Sequence, residues 1–322
     1  MSNGERALVV VPSDDPAQCQ RSPRMAELSA VADVRIFPTR CDSFDLQIER
    51  SQGATTIINS RSYLEWRSEM FDLLPELRFI SVCGIGTDSI DLEAARARGI
   101  TVSNIPGKTA PVVAEHAFGL MFAAAKRAAW YTEMTRQGHW VKQDGVFLGD
   151  KTVGIVGTGN IGAEMARICN AFGMNVIAHT FNPSDERAER LGVRFVGLDE
   201  LMATSDVITI HTKLTPDSEK MIGAHEIGLM KPEAILVNVA RGPIVDEAAL
   251  VEALNAGRIS GAALDVFENE PLPEGSPITE CEQVILTPHI ADMTPEGLDL
   301  LNQGVVENTL AYLNGSPINV VN

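Results

Sequence analysis

The 322-residue chain is short of cysteine, histidine, aromatic side chains and long apolar runs. Its five cysteines (Cys19, Cys41, Cys83, Cys169 and Cys281) are an odd, scattered set without a C-x-x-C pair, which argues against a disulfide framework or a thiolate zinc site. No metal is expected. The most apolar helical stretch, AFGLMFAAA (117–125), is bounded by Glu115, His116, Lys126 and Arg127 and is too short to span a bilayer. The opening MSNGERALVVVPSDD sets acids beside a brief apolar run, which predicts a first strand and not a signal peptide. Basic residues are scarce: 26 Lys and Arg face 43 Asp and Glu, a net charge of −17. Neither nucleic acid nor a membrane is therefore an expected partner. A cytoplasmic protein is expected, and a small anionic substrate would need local positive groups to draw it in against the overall field.

What the chain does have is a succession of short apolar runs alternating with helical patterns. ALVVV (7–11), TTIIN (55–59), RFISV (78–82), TVGIVG (152–157), NVIAH (175–179), DVITIH (206–211), AILVNV (234–239), GAALDV (261–266) and QVILT (283–287) read as strands. Most are continuously apolar, as parallel strands covered on both faces require. Helical segments such as 160–172 and 246–256 fall between them, so the class is α/β. GITVSNIPGKTAP (99–111) reads as a Gly/Pro-rich loop before one long helix over about 112–136. If the residues from there to about 290 form one nucleotide-type sheet, the last helix, about 294–314, must return to the N-terminal part. That makes the N-terminal domain discontinuous, with a cleft between the two domains.

TVGIVGTGNIG (152–162) leaves a strand and opens a helix, with a further strand about 18 residues on, the context that makes a G-x-G-x-x-G specific. Gly157 permits the turn, Gly159 lets backbone approach a pyrophosphate, and Gly162 lets helix and strand pack closely. Thr158, Asn160 and Ile161 complete this expected phosphate cradle at a helix N-terminus. The next strand ends in His179, Thr180 and Phe181, with no carboxylate to hold ribose hydroxyls and no arginine immediately after to hold a 2′-phosphate. Asp185 reads as a helix-start residue. Lys213 is a candidate substitute cation, and the choice between NAD(H) and NADP(H) stays open.

LVNVARGPIVDE (236–247) runs an apolar strand into Arg241, a group that cannot shed its charge and so must be exposed, ion-paired or poised for an anion. Asp246 or Glu247 would serve as ordinary surface partners. His289 follows another strand in ILTPHI, and Asp265, Glu268 and Glu270 cluster after a third in LDVFENEP. An imidazole suits proton transfer near neutral pH, and a carboxylate beside it would raise its pKa. Three strand ends thus offer a cation, a carboxylate and an imidazole.

NVARGPIVDEAALVEAL, GAALDVFENEP and VILTPHIADMT, in this order, closely resemble the D-isomer-specific 2-hydroxyacid dehydrogenase family. So do VCGIGTDSIDL (82–92), AEHAFGLMFAAAKR (114–127), GHW (138–140), HTKLTP and MKPEAILVNVARG, and the resemblance covers nearly the whole chain. It implies a Rossmann-type doubly wound parallel-sheet domain over 104–291 and a discontinuous flavodoxin-like α/β domain from 1–103 and 292–322. By resemblance Arg241 binds substrate, His289 is the general acid/base, and Glu270 is its carboxylate partner. The loop at Cys83, Gly84 and Ile85 receives the substrate carboxylate, and Asp265 orients the nicotinamide carboxamide. Thr180, His211, Lys213 and Ala240 fall at cofactor-facing positions of the matching motifs. Arg61 is a candidate for a second anionic group of the substrate, against the plainer reading of a solvated loop arginine.

Three departures stand out. Thr180 replaces the family's usual acid, Lys213 stands where H-x-P-L-T has proline, and Asp292 and Met293 replace small residues after His289. Asp292 either restricts the substrate pocket or caps the last helix, and the following T-P-E favours the cap. The implied activity is NAD(P)-dependent interconversion of a small 2-oxo acid and its D-2-hydroxy acid by a homodimer. The rivals are an NAD(H)-binding sensor or corepressor-type scaffold, and a sister chemistry such as formate or phosphite oxidation. No C-terminal extension of the regulatory kind is seen, so feedback control through such a domain is not expected.

Overall fold

The computed structural model describes residues 6–60 and 63–322. Arg61 lies outside the described residues. By internal contacts the chain divides into two units, one comprising 1–109 and 293–322 and the other 110–292.

The first unit is built on a five-stranded parallel sheet of β1 (Leu8–Val11), β2 (Asp33–Ile36), β3 (Thr56–Asn59), β4 (Phe79–Val82) and β5 (Thr101–Ser103), in the order β2-β1-β3-β4-β5. This is the flavodoxin-like winding. Alternate residues of one strand enter opposite cores: Val10, Ile57 and Ile80 on one face, Val9, Val11 and Ile58 on the other. The segment expected to be a loop from 99 contains β5, paired to β4 and carried into the unit by Ile105 N–H to the Gly84 carbonyl at 2.8 Å. Asn104 also accepts a bond from Asn308, which lies on the last helix, Pro295–Leu313. These bonds are why the contact boundary falls after Thr109 and not at 103. The last helix buries Leu301, Val305 and Val306 against β1 and β3, and Tyr312 stacks on Phe79 with centroids 4.3 Å apart.

The second unit holds a seven-stranded parallel sheet of β6 (Thr152–Val156), β7 (Asn175–His179), β8 (Arg194–Phe195), β9 (Val207–Ile210), β10 (Ile235–Asn238), β11 (Gly261–Leu264) and β12 (Val284–Leu286). Its order, β12-β11-β10-β9-β6-β7-β8, reverses direction between β9 and β6, the switch point outside which such sheets bind ligands. Val153, Ile155, Val207, Ile235 and Val237 pack under helices Ala110–Ala125 and Asn160–Ala171. Val156, Ile208, Ile210, Leu236 and Leu264 face the opposite core with Leu250 and Leu254 of helix Glu247–Asn255. Coverage of both faces explains the unbroken apolar runs.

The single helix expected over 112–136 is two helices, Ala110–Ala125 and Ala128–Arg136, broken where Arg127 takes a left-handed φ of 49°. The break is held by the returning chain: Val146 N–H donates to the Ala125 carbonyl at 2.8 Å, and Lys126 donates to the Val146 carbonyl. None of the residues of the second helix is buried. Among the described residues, no helix is long and apolar enough to cross a membrane.

Candidate active site

β10 ends at Asn238, whose side chain accepts from the Ala240 N–H and donates to the Arg241 carbonyl, pinning the turn that carries the guanidinium. The next residue must be glycine. A Cβ on Gly242 would lie 1.9 Å from the carbonyl of Phe267, so this turn packs directly on the chain leaving β11. Three residues on from Phe267 is Glu270, whose Oε1 accepts from the Phe267 N–H at 3.0 Å. Its other oxygen, Oε2, accepts from His289 Nδ1 at 2.6 Å. Engaging Nδ1 fixes the imidazole tautomer and leaves Nε2 as the atom for proton exchange.

The hydrogen bond to Glu270 raises the pKa of His289, outweighing partial burial and the charge of Arg241, which both lower it. The influence of Arg241 places its guanidinium within electrostatic reach of the imidazole. Carboxylate and imidazole from the chain leaving β11 and β12 thus meet, and the charge of Arg241, after β10, acts on the same ring. Arg241 is half-buried and donates to the Ala240 carbonyl. The acids suggested as its surface partners are engaged elsewhere: Asp246 caps helix Glu247–Asn255 and faces Lys220, while Glu247 accepts from the Glu268 N–H. Of the three acids after β11, Glu268 pairs with Lys220 at 3.3 Å, and the Glu270 carboxylate bonds the His289 ring.

Asp265 braces the chain around His289. It is fully buried, and its carboxylate accepts from Thr287 Oγ1 at 2.5 Å and from the N–H groups of Ile290 and Ala291 at 3.0 Å. His116 Nε2 lies 3.3 Å away. Burial pushes its pKa up, but the bonds from His116, Thr287 and Ile290 prevail and hold it below the ordinary carboxylate range. The Asp265 backbone carbonyl also accepts from the His289 N–H at 2.8 Å. Asp265 thus grips both sides of His289, whose φ of 52° lies in a region costly for a non-glycine residue and must be held by its surroundings. Residue-by-residue reasoning missed His116 and Thr287. The usable signal was a lone histidine inside the apolar AEHAFGLM helix.

At the end of β6 the glycines serve the expected geometry. A Cβ on Gly162 would sit 2.0 Å from the Gly157 carbonyl, and one on Gly157 would meet the backbone of Thr212 at 2.6 Å. Gly159 has open space around it. Beside this cradle, Thr158 Oγ1 and His211 Nδ1 are buried polar atoms without a partner among the described residues. Burial drops the His211 pKa to about 3, so the ring is neutral, with Nε2 bonded to Thr209 at 2.8 Å. An open glycine turn flanked by orphaned polar atoms fits a dinucleotide pyrophosphate. Asn160 and Ile161 begin the helix behind the turn, Thr180 and Ala240 are half-exposed at their strand ends, and Lys213 is exposed.

In the first unit, the Cys83 N–H is already bonded to the Asn59 carbonyl, and Cys83 Sγ accepts from Gln18. Among the described residues, the amides of Gly84 and Ile85 have no protein acceptor, so these two, and not Cys83, are left for an anion. The last helix is capped by Thr294, which accepts from the Gly297 N–H at 2.9 Å, so the capping role expected of Asp292 belongs to Thr294.

The profile of the D-isomer-specific 2-hydroxyacid dehydrogenase NAD-binding domain matches residues 118–291, more than half of the chain. The chain belongs to this family. Among relatives, it is 41% identical over 265 residues to D-3-phosphoglycerate dehydrogenase of Archaeoglobus fulgidus, a match covering 81% of this chain and 50% of that protein. The chain therefore spans about half the length of that relative. It is 38% identical to glyoxylate reductase of Korarchaeum cryptofilum, with 79% of each chain covered. Among solved structures, an acyclic imino acid reductase in complex with NADPH and D-Arg superposes with a TM-score of 0.88 at 28% identity, covering 98% of this chain and 100% of that one. The fold also matches D-lactate dehydrogenase of Aquifex aeolicus complexed with NAD and lactic acid, at 29% identity and a TM-score of 0.83 with 96% of each chain covered. It matches an NADPH-dependent glyoxylate/hydroxypyruvate reductase of Sinorhizobium meliloti in complex with NADP and malonate, at 29% identity and a TM-score of 0.83 with 98% of this chain and 97% of that one covered.

Proposed function

We propose that the chain is an NAD(P)-dependent D-2-hydroxyacid dehydrogenase that reduces a small 2-oxo acid, or oxidises the corresponding D-2-hydroxy acid. The observation that carries this reading is the 2.6 Å bond between His289 Nδ1 and Glu270, with a raised imidazole pKa beside an arginine. Binding alone gives a scaffold no use for a proton donor tuned in this way.

Gly157, Gly159 and Gly162 of the turn would hold a nicotinamide cofactor, which would supply hydride chemistry at the substrate's second carbon. The chain's own residues do the rest. His289 Nε2 gives its proton to the carbonyl oxygen during reduction and takes it back during oxidation. Glu270 stabilises the imidazolium and holds the ring orientation. Arg241 fixes the substrate carboxylate and polarises the carbonyl. Among the described residues, the Gly84 and Ile85 amides have no protein acceptor and suit an anionic group. Asp265 acts as a positioning residue for the His289 loop. In a panel of 2-oxo acids including glyoxylate, hydroxypyruvate and phenylpyruvate, at least one should consume NADH or NADPH and yield the D-hydroxy acid. Formation of the L-isomer, or turnover only with formate or phosphite, would reject the reading.

The same proposal takes the protein to be a cytoplasmic homodimer joined through its second unit. No residue of helix Ala128–Arg136 is fully buried, and Trp140 and Phe147 are 85% and 70% exposed. Apolar area left open on this scale favours a second copy. Sedimentation equilibrium of the wild type and of Trp140→Ser tests it, and a monomeric wild type would refute it.

A further inference from the structure

The glycine turn carries a cation that motif spacing did not bring to it. Helix Asp185–Leu191 follows β7, and its Arg187 is half-buried, with Nη2 donating to the carbonyl of Thr158 inside the turn. The turn is also tied to the tip of β7, since the Gly157 N–H donates to the His179 carbonyl at 2.8 Å. The tip itself offers His179, Thr180, Phe181 and Asn182, without a carboxylate. Asp185 and Glu186 are exposed on the same helix, and among the described residues neither bonds to the turn. A guanidinium is thus fixed on the pyrophosphate cradle, next to the strand end where an adenosine ribose is held in this fold.

We propose that Arg187 reads a phosphomonoester on the adenosine ribose, and that the chain prefers NADP(H) to NAD(H). The inference rests on the dinucleotide reading of the glycine turn. Arg187 donates through one nitrogen to Thr158, and the planar fork retains further N–H groups for phosphate oxygens. Thr180 adds a neutral hydroxyl where a carboxylate would repel the same phosphate. Both features act in one direction.

The test is equilibrium binding of NADPH and NADH, followed by nicotinamide fluorescence, without substrate. The fragments 2′,5′-ADP and 5′-AMP serve as competitors. NADPH should bind about tenfold or more tightly than NADH, the size of one charge-assisted contact, with the same order for the fragments. Arg187→Ala should remove most of that ratio, Arg187→Lys should keep part of it, and Thr180→Asp should invert it. Equal or tighter binding of NADH by the wild type would overturn the inference while leaving the dehydrogenase reading intact. So would an equal loss of both cofactors in Arg187→Ala, which would show that the guanidinium braces the turn and does not read the phosphate. Absence of binding by either cofactor would instead reject the dinucleotide site itself.

Discussion

Replacing Glu270 by Gln removes one charge and leaves the size of the side chain unchanged. In the wild type this carboxylate is held between the Phe267 N–H and His289 Nδ1, at 3.0 and 2.6 Å. The amide can still accept a bond from the imidazole but no longer balances imidazolium. A hydrogen bond to a charged partner contributes about 1.5–3 kcal/mol. Because the two side chains are 38% and 32% exposed, solvent screening favours the lower end. Roughly tenfold is then the expected loss in kcat/KM for reduction at neutral pH. The pH dependence is the sharper readout. With the Glu270 charge gone, burial and Arg241, which lower the His289 pKa, outweigh the smaller raising by Asp265. Reduction needs the protonated ring, so its rate falls as pH rises through this pKa, whereas oxidation needs the neutral ring and rises through it. Both limbs should move to lower pH in Glu270→Gln. Initial rates of NAD(P)H consumption across about pH 5 to 10 measure the first limb. An unshifted profile, or one displaced upward, would refute the pairing.

Two other substitutions probe the framework. Gly242→Ala sets a Cβ against the Phe267 backbone, a clash no side-chain movement relieves, so substrate KM should rise and stability fall by about 1–3 kcal/mol or more. A variant with unchanged KM and melting temperature would show that Arg241 does not depend on that close approach. Asp265→Ala strips the acceptor from Thr287, Ile290 and Ala291 and should cost on the order of 3–5 kcal/mol in unfolding experiments. Since the folded pKa of Asp265 is depressed, its contribution is present above the ordinary carboxylate range and is lost as pH falls through the folded value. The stability gap between wild type and variant should therefore close in acid, and a gap that widens would contradict the assignment.

The central strands were legible because burial on both faces leaves an unbroken apolar run, as in LVVV of β1 and VITI of β9. The strands that escaped, DVRI of β2, TVS of β5 and RF of β8, are all sheet edges. An edge strand is paired on one side only, can be very short, and need not be apolar on both faces. The break at Arg127 was hidden for another reason: it depends on the returning segment at Val146, a contact 20 residues away. At the site, spacing and resemblance brought out Arg241, Glu270 and His289. The bracing of the His289 loop by Asp265 was not legible, because its donors come from His116 on one side of the sequence and from 287–291 on the other. Arg187 was missed because it reaches back to Thr158 across 29 residues.

The claim on which the mechanism turns is that His289 moves the substrate oxygen's proton without holding the cofactor. Its most direct test is a single-turnover measurement on His289→Gln, pre-loaded with NADPH or NADH and mixed with the best 2-oxo acid of the panel. Cofactor affinity should stay within about twofold of wild type while the rate of nicotinamide oxidation falls roughly 10²–10⁴-fold, the span of general acid catalysis. A wild-type rate, or a loss of rate matched by an equal loss of cofactor affinity, would contradict it.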